Sequence, residues 1–166
     1  PSPTAFVTGA TGLLGNNLVR ELIAEGFQVR ALVRSPEKAV RQFADTELNI
    51  VQGDMLDVPG FAAALHGVDV VFHTAAYFRD SYQGGRHWAA LYRANVEGTR
   101  TLLDHAFKAG VRRFIHTSSI AVLHGTPGQV IDETMMRDER VADDYYRSKI
   151  LADRALLAFL DAHPDF

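Results

Sequence analysis

The chain has 166 residues, 47% of them hydrophobic, no cysteine, and a formal net charge of -3. That length suits one domain with a real core, and the apolar share excludes a disordered chain. Mixed charge leaves no electrostatic footprint for nucleic acid or an anionic membrane, and no apolar run approaches the ~18–20 residues that cross a bilayer.

The first apolar run, Ala5-Phe6-Val7, is short enough to be a buried strand, and it leads into Thr8-Gly9-Ala10-Thr11-Gly12-Leu13-Leu14-Gly15. Leu14, Leu18, Leu22 and Ile23 then recur at helical spacing, with Arg20, Glu21 and Glu25 facing away. A strand, a glycine-rich turn and a helix in that order form a phosphate cradle. Gly9 permits the tight turn, Gly12 admits a pyrophosphate to the backbone, and Gly15 lets the helix lie close on the sheet. The free N–H groups at the helix start face the diphosphate.

A second strand is expected at about 28–33, ended by Ser35-Pro36. In a dinucleotide fold it ends beside the adenosine ribose, where a carboxylate would select NAD. This sequence offers Arg34, with Lys38 and Arg41 following, and a guanidinium suits a 2′-phosphate by charge and donor geometry. NADP is therefore favoured over NAD; the alternative is a solvated basic helix start. A third strand (47–52) runs into Gly53-Asp54, whose carboxylate can accept from an adenine amino group or cap the next helix. A short Ala-rich helix is expected over 59–66 and a fourth strand over 68–73. That strand ends in His73-Thr74-Ala75-Ala76: the small residues suit close passage of a cofactor, and His73 reads as a satisfied strand-end side chain rather than a ligand.

Residues 77–87 lack periodicity and suggest a surface loop. A long helix is expected over 88–109, with Leu91, Val96, Leu102, Leu103 and Phe107 toward an apolar side and Gly110 as its stop. Asn95 is a poor interior helix former, which implies a specific hydrogen bond. A fifth strand (113–117) closes with Ser118-Ser119, a polar segment 124–143 reads as a loop, and a last helix spans 143–162. Five strands alternating with helices predict an α/β fold, a Rossmann-type doubly wound parallel sheet of order 3-2-1-4-5 in a three-layer αβα stack over residues 1–166.

Tyr145 and Lys149 stand four apart on the last helix and share one face. An ammonium beside a phenol stabilises the phenolate and makes the tyrosine a usable acid or base near neutral pH. Ser119, ending the neighbouring strand, can hold a carbonyl oxygen with its hydroxyl.

Taken together, Thr8–Gly15, Val29–Arg34, Gly53-Asp54, Val71–Ala76, Asn95–Thr99, His116–Ser119 and Tyr145–Lys149 resemble the extended short-chain dehydrogenase/reductase family, the epimerase/dehydratase group, and within it the dihydroflavonol-4-reductase-like branch. The resemblance covers nearly the whole chain. It implies that Gly9, Thr11, Gly12, Leu13, Leu14, Gly15 and the helix start bind the pyrophosphate, that Arg34 with Lys38 reads the 2′-phosphate, and that Asp54 with Met55 meets the adenine. Thr74, Ala75 and Ala76 would line the cofactor path, with Tyr145 and Lys149 also touching the cofactor. Ser119, Tyr145 and Lys149 fall on the family's catalytic positions, in preference to Ser118 and Tyr146. The family also pairs the helices corresponding to 88–109 and 143–162 into a homodimer. Members continue past the last helix into a further strand and a C-terminal substrate region, so an incomplete domain with a half-built substrate pocket is expected.

The leading expectation is an NADP-dependent reductase of a ketone or aldehyde. The same fold could instead serve as an NAD-dependent nucleotide-sugar epimerase or dehydratase, which Arg34 opposes, or as a non-catalytic NADP(H)-binding module, which the Ser-Tyr-Lys set opposes. The seven histidines are scattered without paired ligand spacing, so no metal is expected. The absence of cysteine and of a basic-then-apolar leader pattern makes the cytoplasm the expected location.

Overall fold

Strand β1 (Thr4–Thr8) is buried at all five positions, because it lies at the centre of a five-stranded sheet. The computed structural model describes residues 2–78 and 87–166. Strands β2 (Gln28–Val33), β3 (Asn49–Gln52), β4 (Val70–His73) and β5 (Arg113–His116) complete the sheet in the order β3-β2-β1-β4-β5. Every pairing is parallel, which requires a crossover between successive strands and explains the apolar runs covered on both faces. This is the predicted order and fold class.

Alternation along β1 divides the core. Ala5 and Val7 face a cluster with Val19 and Leu22 of helix α1 (Leu13–Ala24), Val29 and Val33 of β2, and Ala39 of helix α2 (Pro36–Gln42). Phe6 faces the other side with Leu32, Phe61, Leu65 and Val71, joined by Leu102 and Ala106 of helix α4 (Gly98–Lys108). Each Val, Leu or Phe among them contributes roughly 1.5–3 kcal/mol on full burial, so the two clusters fix the three layers. Register follows: Thr8 pairs with His73 and His73 with His116, placing the carboxyl ends of β1, β4 and β5 in one row.

Several element boundaries differ from expectation. The 59–66 helix is two 3-10 turns, Val58–Gly60 and Ala62–Leu65, separated by Phe61 at φ -122°. Burial of Val58, Phe61 and Leu65 sets that local path over helix propensity. The basic stretch after β2 is a helix, α2, whose Ser35 cap accepts from the Lys38 backbone N–H at 3.3 Å. On α1 the buried face is Gly15, Val19 and Leu22, while Leu14 is turned outward. The expected 88–109 helix is interrupted: α3 (Trp88–Leu91) runs through a π-helical segment, Tyr92–Glu97, into α4. The 124–143 loop is tied back to Leu123 by a Leu123–Met136 bridge and holds a 3-10 turn at Glu139–Val141. Most of the expected 77–87 loop lies outside the described residues.

The chain divides into two compact units, residues 1–76 with 101–117 and 165–166, and residues 77–100 with 118–164. The first contains the sheet and both clusters above. In the second, helix α5 (Asp144–Ala162) packs on α3 and the π-helical segment, with Leu91, Val96, Ile150 and Ala152 buried. Among the described residues no helix is long and apolar enough to cross a membrane.

Candidate functional site

The first group of site residues surrounds the turn between β1 and α1. Gly9 has φ +67°, a left-handed value, and a Cβ there would stand 2.8 Å from the Ala75 backbone nitrogen. At Gly15 a Cβ would lie 2.2 Å from the Gly9 carbonyl oxygen, so this glycine lets the helix start sit against the turn. Gly12 differs. Its nearest neighbour to a new Cβ is the Gly9 oxygen at 3.2 Å, so internal packing demands a glycine there far less. Its N–H closes the turn onto that oxygen at 2.9 Å. No side chain caps the start of α1, and the Leu13 and Leu14 side chains are exposed there. Backbone donors at the head of a helix, with glycine beside them, suit an anion such as a diphosphate.

A buried hydrogen-bond set braces this turn against the end of β4. Thr8 Oγ1 meets His73 Nδ1 at 2.7 Å and accepts from the Ala75 N–H at 3.2 Å, while Thr74 Oγ1 donates to the Thr8 carbonyl at 2.7 Å. His73 is thus the satisfied strand-end histidine expected from the sequence. Ala75 and Ala76 follow with little side chain, and Ala76 is exposed.

Arg34 directly follows β2 and is exposed, as are Lys38 and Arg41 on α2. Asp54 Oδ1 accepts from the Leu56 N–H at 2.9 Å, which makes it a turn-closing residue whatever else it binds. Its neighbour Met55 packs partly on the second apolar cluster. Thr11 offers its carbonyl to Gln42 at 3.5 Å.

The second group lies in the unit that contains α5. Asp143 caps that helix by accepting from the Tyr146 N–H at 2.8 Å, which fixes where Tyr145 and Lys149 emerge. Lys149 is only 3% exposed. Burial pushes its ammonium below the ordinary lysine range, and the Asp153 carboxylate pulls it partly back. Tyr145, one turn earlier, is half-buried, with its ring edge-on to Phe78 at 4.9 Å. Tyr146 lies beneath the Arg137 guanidinium at 5.6 Å.

Ser119 caps the 3-10 turn Ile120–Val122, its Oγ accepting from the Ala121 N–H at 3.2 Å. Accepting leaves a hydroxyl with its proton to offer. Ser118 is committed elsewhere, donating to Asp153 Oδ2. Asn95 stands in the π-helical segment, buried. Its Oδ1 accepts from the Tyr77 N–H at 2.7 Å, and its Nδ2 donates to the Tyr77 carbonyl at 3.1 Å and to Ser148 Oγ at 2.9 Å. The hydrogen bond implied by an asparagine inside a helix is therefore present three times over. Ser148, Ser118 and Asp153 were not legible as site neighbours, because only the packing of α5 brings them to these partners.

Residues 6–161 match the model of the 3-beta hydroxysteroid dehydrogenase/isomerase family. The chain belongs to that family. It is 40% identical over 161 residues to a 3 beta-hydroxysteroid dehydrogenase/Delta 5→4-isomerase of Mycobacterium tuberculosis, covering 92% of this chain and 42% of that protein. A putative dihydroflavonol 4-reductase of Synechocystis is 39% identical over 154 residues, covering 92% of this chain and 43% of the relative. The solved structure of MoeE5 in complex with UDP-glucose and NAD superposes with a TM-score of 0.76 at 31% identity, covering 94% of this chain and 48% of that one. The chain thus spans well under two thirds of the length of these family relatives. The resemblance to the epimerase/dehydratase group and its dihydroflavonol-reductase-like branch agrees with these matches.

Proposed function

We propose that this chain is the dinucleotide-binding part of an NADP-dependent oxidoreductase that reduces a ketone or aldehyde carbonyl. The observation that carries the reading is the burial of Lys149 one helical turn from Tyr145. A largely desolvated ammonium on the same helix face as a phenol is costly to the fold and is explained by the work it does on the phenol's acidity.

In this reading Gly9, Thr11, Gly12, Leu13, Leu14 and Gly15 would hold the pyrophosphate, and the lack of a side chain at Gly12 supports close approach of the backbone to it. Arg34 and Lys38 take the 2′-phosphate, Asp54 and Met55 the adenine, and Thr74, Ala75 and Ala76 border the path toward the nicotinamide. The bound nicotinamide supplies hydride to the carbonyl carbon. Ser119 Oγ–H donates to the carbonyl oxygen, Tyr145 gives that oxygen its phenolic proton, and Lys149 stabilises the phenolate left behind. The names of two relatives, a 3 beta-hydroxysteroid dehydrogenase/isomerase and a putative dihydroflavonol 4-reductase, support a dehydrogenase or reductase reaction.

A second reading, an NAD-dependent nucleotide-sugar epimerase or dehydratase, is favoured by the likeness to a structure holding UDP-glucose and NAD. Titration with NADPH and NADH, followed by nicotinamide fluorescence, separates the two. Tighter binding of NADPH that is lost in Arg34→Ala supports the reductase; preference for NADH supports the epimerase.

A further inference from the structure

Arg137 is half-buried, and its guanidinium meets two segments that carry proposed site residues. Its Nε donates to the Ala121 carbonyl at 3.0 Å and its Nη2 to the Leu123 carbonyl at 3.4 Å. The same group lies over the Tyr146 ring at 5.6 Å. Ala121 lies in the turn that Ser119 caps, Leu123 ends that turn, and Tyr146 follows Tyr145 on α5. We infer that Arg137 is a positioning residue: it sets the Ser119 turn and the head of α5 in one geometry, and so places the Ser119 hydroxyl for the carbonyl that Tyr145 protonates. The inference rests on the proposed roles of Ser119 and Tyr145.

Ala121 is gripped at both ends. Its N–H donates to Ser119 Oγ at 3.2 Å, and its carbonyl accepts from Arg137. A rotation of Ala121 would therefore move the donor that engages Ser119 Oγ as an acceptor and leaves the hydroxyl its proton to offer. Ile120–Val122 is a single 3-10 turn, and so short a piece has few hydrogen bonds of its own to hold it. Residues 135–137 strap it down. The Arg137 N–H donates to the Val122 carbonyl at 2.7 Å and the His124 N–H to the Met135 carbonyl at 2.9 Å, on either side of the Leu123–Met136 bridge. The Arg137 side chain extends that strap to α5 through the Tyr146 ring, which meets the Tyr145 ring edge-on at 6.0 Å. A guanidinium suits this place because its N–H donors lie in one plane and its flat face can stack on an aromatic ring.

The test compares Arg137→Ala, which leaves room for a free guanidinium ion, with Arg137→Lys, which keeps the charge and most of the length. In 13C-labelled chain the Ala121 and Leu123 carbonyl resonances should both move upfield in Arg137→Ala, as each loses its donor. Millimolar guanidinium chloride, but not sodium chloride, should return them. Reduction of 4-nitrobenzaldehyde by NADPH should lose about ten- to a hundredfold in kcat, with the KM for NADPH unchanged and the same recovery in guanidinium. Arg137→Lys should fold as the wild type does and still lose kcat, because an ammonium offers neither the planar donors nor the flat face. Unmoved carbonyl resonances overturn the inference, as do full kcat in Arg137→Lys and a loss in Arg137→Ala that guanidinium leaves unrestored. A wild-type chain without NADPH-dependent reduction sinks the functional reading instead, while the two carbonyl resonances and their recovery still decide for or against Arg137.

Discussion

Thr8 and His73 lie 65 positions apart in sequence and share a 2.7 Å hydrogen bond between Oγ1 and Nδ1, both side chains buried. The same Thr8 oxygen accepts from the Ala75 N–H, so one hydroxyl satisfies two groups at the ends of paired strands. Thr8→Val keeps the shape and removes the hydroxyl, leaving His73 Nδ1 and the Ala75 N–H without it. A loss of about 1–3 kcal/mol is expected in urea unfolding, whereas Thr8→Ser, which keeps the oxygen, should lose less.

The three glycines of the cradle should separate by readout. Gly15→Ala places a Cβ 2.2 Å from a backbone oxygen and should unfold or strongly destabilise the chain. Gly12→Ala meets its nearest atom, the Gly9 oxygen, at 3.2 Å, a tight contact that a shift of a few tenths of an ångström relieves, so it should lower the melting temperature far less than Gly15→Ala while NADPH affinity falls by about tenfold or more. Equal NADPH affinity in Gly12→Ala would contradict the placement of the pyrophosphate.

Acid should weaken the contact between α1 and the segment before β3. Arg20 holds the Asp45 carboxyl down to about 2 by hydrogen bonding, with Thr46 adding to the effect. Because the folded-state value is depressed, this contribution is full above the ordinary 3.8 and is lost as pH falls toward about 2. The pair is exposed, so the effect is small. Thermal melts of Asp45→Asn should show a shallower decline than wild type between pH 4 and 2.

Lys149→Met should stabilise the fold while ending the proposed reduction. The charged form is disfavoured by burial, so below its lowered midpoint the folded state carries a cost that is relieved as pH rises toward the ordinary 10.5. An apolar replacement removes that burial cost together with the attraction to Asp153, and a small net gain near neutral pH is expected from denaturant melts. The gap should narrow under alkaline conditions.

Asn95→Leu should cost about 2–3 kcal/mol, because Tyr77 N–H, the Tyr77 carbonyl and Ser148 Oγ each lose one hydrogen bond together. Hydrogen exchange at the Tyr77 amide should accelerate in parallel, which distinguishes the lost contact from a general loosening.

The sequence by itself determined the strand order and the glycine-rich turn between β1 and α1, since apolar runs, helical spacing and three glycines are local signals that physics reads within ten residues or so. The requirement for glycine at 9 and 15 was legible too, and the geometry there supplies its reasons: a positive φ at one and a backbone contact at the other. The tertiary structure decided the rest. Whether Val58–Leu65 winds as one helix or two turns depended on where Val58, Phe61 and Leu65 reach the core. That Asn95 sits in a π-helical segment depended on partners 18 and 53 residues away. The burial of Lys149 and the Ser118 grip on Asp153 arise only when α5 packs, because desolvation and long-range hydrogen bonds belong to the folded neighbourhood and leave no periodic trace in the chain.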